Sequence, residues 1–198
     1  FVFILSPDGK AHVKPHLERL IHGRYKICIQ EEPLGMGDAI SKADGNIESK
    51  HTLILWGDQV CIESQTIKMA TSLHEEHKLC LSIPTYIKKN PYIHFERKGR
   101  NKITQVLQKR EGDEMPEIGE SDCGLFLCQT QNLMETLRKY WIDKRVKGRL
   151  TKETNFLPFL PFFQEGGETG TFRIISEKET LGINDKNDVR IAEQFLKK

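Results

Sequence analysis

Short apolar runs alternate along this chain with segments whose apolar residues recur every three or four positions. That alternation is the pattern of βαβ units, and it predicts an α/β fold with a mostly parallel sheet flanked by helices. Phe1–Leu5 reads as a buried first strand, followed by a Pro-Asp-Gly turn at Pro7–Gly9. A helix follows, with Leu17, Leu20 and Ile21 on one face; Pro15 is placed to start it and Gly23 to end it. Tyr25–Ile29 is a second strand, and Met36–Ala43 begins a short helix after a glycine-bearing loop. Thr52–Trp56 is the clearest buried strand, and a helix from about Ser64 to His77 turns Ile67, Ala70 and Leu73 inward.

Further on, Lys78–Thr85 is another strand, and Tyr92 to Leu107 predicts a small hairpin turning at Lys98-Gly99-Arg100-Asn101. The polar stretch Arg110–Glu120 reads as a solvated loop carrying Glu111, Asp113, Glu114 and Glu117. The strand Cys123–Cys128 and a helix from about Gln131 to Trp141 come next. Phe156–Phe163, rich in Phe, Leu and Pro, is expected to pack over the sheet. Thr171–Ile175 is the last strand, and Asp185 with Asp188 predicts a capped start to the final helix. With no repeat, low-complexity tract or linker, residues 1–198 read as one domain, and the apolar first strand as one that begins inside a structural element.

Composition narrows the class without naming a function. Charged residues are 29% and hydrophobic residues 37% of the chain, the balance of a soluble globular protein. A net charge of +2 is too small to suggest nucleic acid or a membrane surface as partner. No apolar run approaches the roughly 20 residues of a spanning helix. The five cysteines are widely spaced without a CxxC pair, so buried, reduced thiols in a cytoplasmic protein are expected and zinc is not. The seven histidines show no metal-ligand spacing and are read as surface or capping residues.

Three motifs fall where strands hand over to helices, the usual ligand-binding edge of an α/β sheet. Gly57-Asp58 follows the strand Thr52–Trp56, where a carboxylate can hold Mg²⁺, although Gly-Asp alone is an ordinary turn. Asn184-Asp185 precedes the last helix, where a side-chain oxygen could be a second ligand or simply a cap. In Gln30-Glu31-Glu32-Pro33-Leu34-Gly35-Met36-Gly37-Asp38-Ala39, the glycines would let a ligand lie against the backbone. Gln30 could hydrogen-bond a base edge there. This is not the dinucleotide fingerprint, because the third glycine is absent.

Taken in order, these motifs resemble the sugar-nucleotide pyrophosphorylases, above all the uridylyltransferase domain of the N-acetylglucosamine-1-phosphate uridylyltransferases. The resemblance runs from about Phe1 to Lys198. It implies a Rossmann-like fold of GT-A type and transfer of a nucleoside monophosphate from a nucleoside triphosphate to a sugar 1-phosphate, with release of pyrophosphate. It also implies that Gln30, Gly35 and Met36 face the nucleotide, that Gln108 and Asp122 face the sugar and its phosphate, and that Asp58 and Asn184 hold Mg²⁺. The chain departs from the family pattern at the sugar side: Gln108 stands where a carboxylate is usual, Asp122 where Asn is usual and Ile93 where Gly is usual. Met36 replaces a hydroxyl residue. The Gly-rich triphosphate loop that opens the family pattern has no counterpart, so the chain reads as starting at the second or third strand. An unpaired sheet edge and a homo-oligomer that covers it are therefore expected. The alternatives are a non-catalytic binding or regulatory relative of the same fold, and a related cytidylyl- or guanylyltransferase.

Overall fold

The computed structural model describes residues 1–99, 102–174 and 176–197. Its first unit is a compact βαβ: strand β1 (Val2–Leu5), helix α1 (Pro7–Ile21) and strand β2 (Lys26–Ile29), with β1 and β2 paired in parallel. Pro7–Gly9 is the first turn of α1 and not a free turn, because the Ser6 hydroxyl accepts the Gly9 N–H and Pro7 suits the first helical position. Pro15 therefore lies inside the helix instead of starting it. His22 and Gly23, both with positive φ, end it.

Helix α2 (Met36–Ser41) leads into strand β3 (His51–Leu55) and helix α3 (Ser64–Glu76). Strand β4 (Leu81–Lys89) is the spine of the main sheet, followed by the hairpin β5 (Ile93–Lys98) and β6 (Lys102–Gln108). The hairpin is observed as expected; two residues of its turn, Arg100 and Asn101, lie outside the described residues, as does Ile175 after the last strand. Strands β7 (Ile118–Asp122) and β8 (Leu125–Gln129) precede helix α4 (Thr130–Tyr140), and β9 (Thr169–Arg173) and α5 (Lys186–Leu196) complete the chain.

The α/β class holds, but strand direction in the five-strand sheet corrects the expectation of a mostly parallel arrangement. Strand β4 runs parallel to β9 and antiparallel to both β7 and β8, and β3 runs antiparallel to β8. The pattern could not report this. A strand buried on both faces shows the same apolar run whichever way its neighbours point.

The core lies between this sheet, α4 and a 3₁₀ segment at Leu157–Glu165. Phe156, Phe159 and Phe163 are fully buried. Edge-to-face contacts link Phe126 to Phe156 at 5.2 Å and Phe156 to Phe163 at 6.1 Å. On the other side of the sheet α3 buries Ala70, while Ile67 and Leu73 are half-buried.

Two strands that read as buried are not. Phe1 is largely exposed and Val2–Leu5 are only half-buried, because β1 has one neighbour, β2, in a two-strand sheet. In β3 only Ile54 is buried, while Leu53 and Leu55 are 42% and 45% exposed on a strand that ends its sheet. Four of the five cysteines are buried and all five are free thiols, as expected. The histidines are the second correction. His74 is 1% exposed, with its Nδ1 2.9 Å from Ser82 Oγ and its Nε2 3.0 Å from His51 Nδ1. No helix among the described residues is long and apolar enough to cross a membrane.

Candidate functional site

Pairing of Leu55 with Leu125 fixes the carboxyl end of β3 beside the turn that joins β7 to β8. Gly57-Asp58 emerges there next to Asp122 and Gly124, and the Gly124 carbonyl accepts the Trp56 N–H at 3.0 Å. The Asp122 carboxylate folds back to accept the Gly124 N–H at 2.7 Å, a turn that Gly124 makes with φ 76°.

The segment before α5 reaches the same place from the far end of the sequence. Gln59 bridges Gly182, and the Ile183 N–H donates to the Asp58 carbonyl at 3.0 Å. Asn184 is thus held one residue from Asp58's backbone partner. Its own backbone N–H is taken by Asp188 Oδ2, while Asp185 caps the helix by accepting from Asn187 and Asp188. The capping box expected from Asp185 and Asp188 is present.

Electrostatics at this end of the sheet are tense. Burial pushes the Asp122 carboxyl up to about 6; the Gly124 N–H opposes that shift and the neighbouring Asp58 charge adds to it. A cation would relieve this. A Cβ on Gly182 would sit 2.9 Å from Gln59 Nε2 and 3.0 Å from Asp58 Oδ2, so glycine there lets the 182–184 backbone pack closely against the Asp58 side chain. Among the described residues no cluster of three or more His, Cys, Asp or Glu side chains is set to hold an ion. A cation here would draw on the Asp58 carboxylate and the Asn184 amide oxygen, donors that suit a hard ion such as Mg²⁺.

Gln30, Gly35 and Met36 form the second locus, where β2 hands over to α2. Gln30 Nε2 donates to Gly35 O at 3.0 Å and to Asp38 Oδ2 at 2.9 Å. Gly35 has φ 104°, and the backbone that approaches it is the chain's own: a Cβ would lie 2.5 Å from Thr154 O. Gly37 N donates to that same oxygen at 2.9 Å, and Thr154 N donates to Leu34 O at 2.7 Å. These glycines therefore admit the Thr154–Asn155 backbone first.

The loop that clamps them is organised by a residue read as solvated in the sequence. Glu111 is 3% exposed. Its carboxylate accepts from Leu150 N at 2.8 Å, Thr151 N at 3.2 Å and Thr151 Oγ1 at 2.6 Å. Burial raises its pKa, but these hydrogen bonds outweigh burial and hold it below the usual carboxylate range. The polar composition of Arg110–Glu120 hid this. One weak signal existed: a Gly112 that ends the short helical turn at Lys109–Glu111.

Gln108 ends β6, 4% exposed, three residues before Glu111, and its backbone N–H donates to Asp113 at 2.8 Å. Ile93, paired with Gln108 across the hairpin, accepts the Ser121 hydroxyl on its carbonyl, which ties the hairpin to β7 beside Asp122. The structure thus gathers Asp58, Asp122 and the 182–184 segment into one group. Gln30, Gly35 and Met36 form a separate group on the far side of β3 in sequence.

No protein-family model matches the chain. Curated relatives do. The chain is 27% identical over 176 residues to the bifunctional protein GlmU of Carboxydothermus hydrogenoformans, a match covering 87% of this chain and 39% of that protein. It is 24% identical over 207 residues to GlmU of Streptococcus thermophilus, covering 100% of this chain and 44% of that protein. The chain thus spans about two fifths of the length of these relatives. A Bacillus anthracis protein classed as a glucose-1-phosphate thymidylyltransferase, crystallised with sucrose, has the same fold. Its TM-score is 0.71 at 12% identity, over 98% of this chain and 74% of that one. In sequence and in fold, the chain resembles the sugar-1-phosphate nucleotidyltransferases.

Proposed function

We propose that this chain supplies the substrate-binding body of a Mg²⁺-dependent sugar-1-phosphate nucleotidyltransferase. The observation that carries the reading is the close meeting of Asp58 with the Gly182–Asn184 segment, two stretches far apart in sequence. Gln30, Gly35 and Met36 hold the nucleotide in this reading, and Gln108 and Asp122 hold the sugar and its phosphate. Asp58 and Asn184 would hold Mg²⁺, which when bound neutralises charge on the phosphates.

The reaction is attack of a sugar-phosphate oxygen on the α-phosphorus of a nucleoside triphosphate, with pyrophosphate leaving. It needs placement and charge neutralisation more than a nucleophilic side chain. The protein's share is then to fix two anions in line at the carboxyl ends of the strands. In this reading β3, paired with β8, and β7, paired with β4, carry Asp58 and Asp122 on adjoining turns of one sheet. The hydrogen bonds of Thr154 to Leu34 and Gly37 brace the base side.

One observation favours a second reading, a non-catalytic relative: Thr154 already lies against both glycines. Titration calorimetry with UTP and with UDP-N-acetylglucosamine, in Mg²⁺ and again in EDTA, separates the two. The enzyme reading expects metal-dependent binding that Asp58→Ala abolishes. Absence of binding in both conditions would select the non-catalytic reading.

A further inference from the structure

Gln30 is the one residue of the base-side group whose side chain can read a hydrogen-bond pattern, and the structure fixes how it does so. A side-chain amide offers two N–H donors and one carbonyl acceptor. Both donors are spent on the protein: one on Gly35 O at 3.0 Å, the other on Asp38 Oδ2 at 2.9 Å. Neither of those oxygens can donate, so turning the amide over would set oxygen against oxygen twice. The Oε1 atom makes no hydrogen bond among the described residues.

Asp38 is itself well held. It is 4% exposed on the first turn of α2, and Lys42 Nζ lies 3.3 Å from its other oxygen, Oδ1. The α2 backbone around it is braced by the Ser41 hydroxyl, which donates to Asp38 O at 2.7 Å. A buried carboxylate with a cation on one oxygen and an amide on the other is a fixed acceptor, and bonds to a charged acceptor are the stronger kind.

We infer that Asp38 is a positioning residue that selects the nucleobase, by locking the Gln30 amide so that only its carbonyl oxygen is left to pair. This rests on the nucleotide site proposed above. A lone acceptor pairs with a ring N–H on the base edge, which uracil and thymine carry at N3 and guanine at N1. It meets a lone pair at N3 of cytosine and at N1 of adenine. Cytosine and adenine can offer this oxygen only an exocyclic N–H, displaced from the ring position, so the site favours nucleotides with a ring N–H donor. Asp38 touches no ligand in this scheme and acts only through Gln30.

The test is titration of the full chain in Mg²⁺ with UTP and with CTP, for the wild type, Asp38→Ala and Asp38→Asn. The wild type is expected to prefer UTP by about tenfold, the effect of one hydrogen bond made or opposed. Asp38→Ala should bring the ratio to within about twofold of unity. Asp38→Asn keeps an acceptor of the same shape and should restore most of the preference. A structural role alone would weaken both nucleotides by the same factor, and an unchanged ratio in Asp38→Ala would overturn the inference. A measurement needing no variant backs this up: in ¹⁵N NMR of the wild type, both Gln30 amide protons should exchange slowly with water. Exchange as fast as that of a free glutamine would also overturn it. If the wild type binds neither nucleotide, the nucleotide-site reading itself fails and base selection with it; binding with an unaltered ratio sinks only the role of Asp38.

Discussion

The first βαβ unit and the five-strand sheet are built from the same kind of sequence, yet they differ sharply in how much they bury. Phe1–Leu5 is as apolar as any strand in the chain, but its side chains stay half-exposed or more. Helix α1 buries only Leu17, and Leu20 is 67% exposed. In the main sheet Leu81, Ile83, Leu125 and Phe126 are fully buried; the Leu157–Glu165 segment covers Leu81, Ile83 and Phe126 with three phenylalanines, and Leu125 packs with Ala70 of α3. The lesson is that an apolar strand is stabilised by the layer that covers it. A two-strand sheet with one helix offers too little of that layer.

Phe163→Ala removes a fully buried ring that packs on Phe156 and should cost about 3–5 kcal/mol in denaturant unfolding. A loss under about 1 kcal/mol would show that the phenylalanine layer is not the core.

Acid should act on the main body through His74. Burial, and then the nearby His51, lower its pKa from 6.5 to about 4, so the unfolded chain takes up a proton that the folded chain refuses. Stability from the neutral ring is complete above about pH 6.5 and is lost as pH falls towards 4. The full swing is up to about 3 kcal/mol. Asp122, raised to about 6, works the other way and gains stability on acidification through that range. The difference between wild type and His74→Gln isolates the histidine. It should shrink in favour of the variant from pH 7 to pH 4, and a flat difference would remove His74 from the account.

The smallest effect is expected in the first unit. Phe3→Ala, on a half-buried strand, should cost less than about 1.5 kcal/mol, well below Phe163→Ala. Equal losses at the two positions, read from the same unfolding curves, would mean that the first unit is covered in solution by something the single chain does not supply. Its open strands, like the outer edge of β3 with exposed Leu53 and Leu55, are the natural place for such cover.

Much of this protein was legible in the order of its residues. Local rules place α2, α3, α4, α5, the hairpin and the Asp185 capping box, because each depends on neighbours a few positions away. Asp58 and Asn184 were singled out as strand-end and helix-start residues, and the fold brings their segments together. What the sequence withheld depends on residues distant in the chain. Strand direction around β4 is set by which edge each later strand finds, and an apolar run carries no arrow.

The burial of Glu111 was hidden because its partners, Leu150 and Thr151, lie some forty residues on, so a polar stretch looked solvated. The same holds for His74, whose partners His51 and Ser82 sit on two different strands. At Gln30 the two levels meet. Sequence alone supplies an amide beside two glycines, able to donate or to accept. Tertiary structure removes half of that choice by spending both donors on Gly35 and Asp38, since a hydrogen-bond group already satisfied inside the protein is no longer available to a ligand.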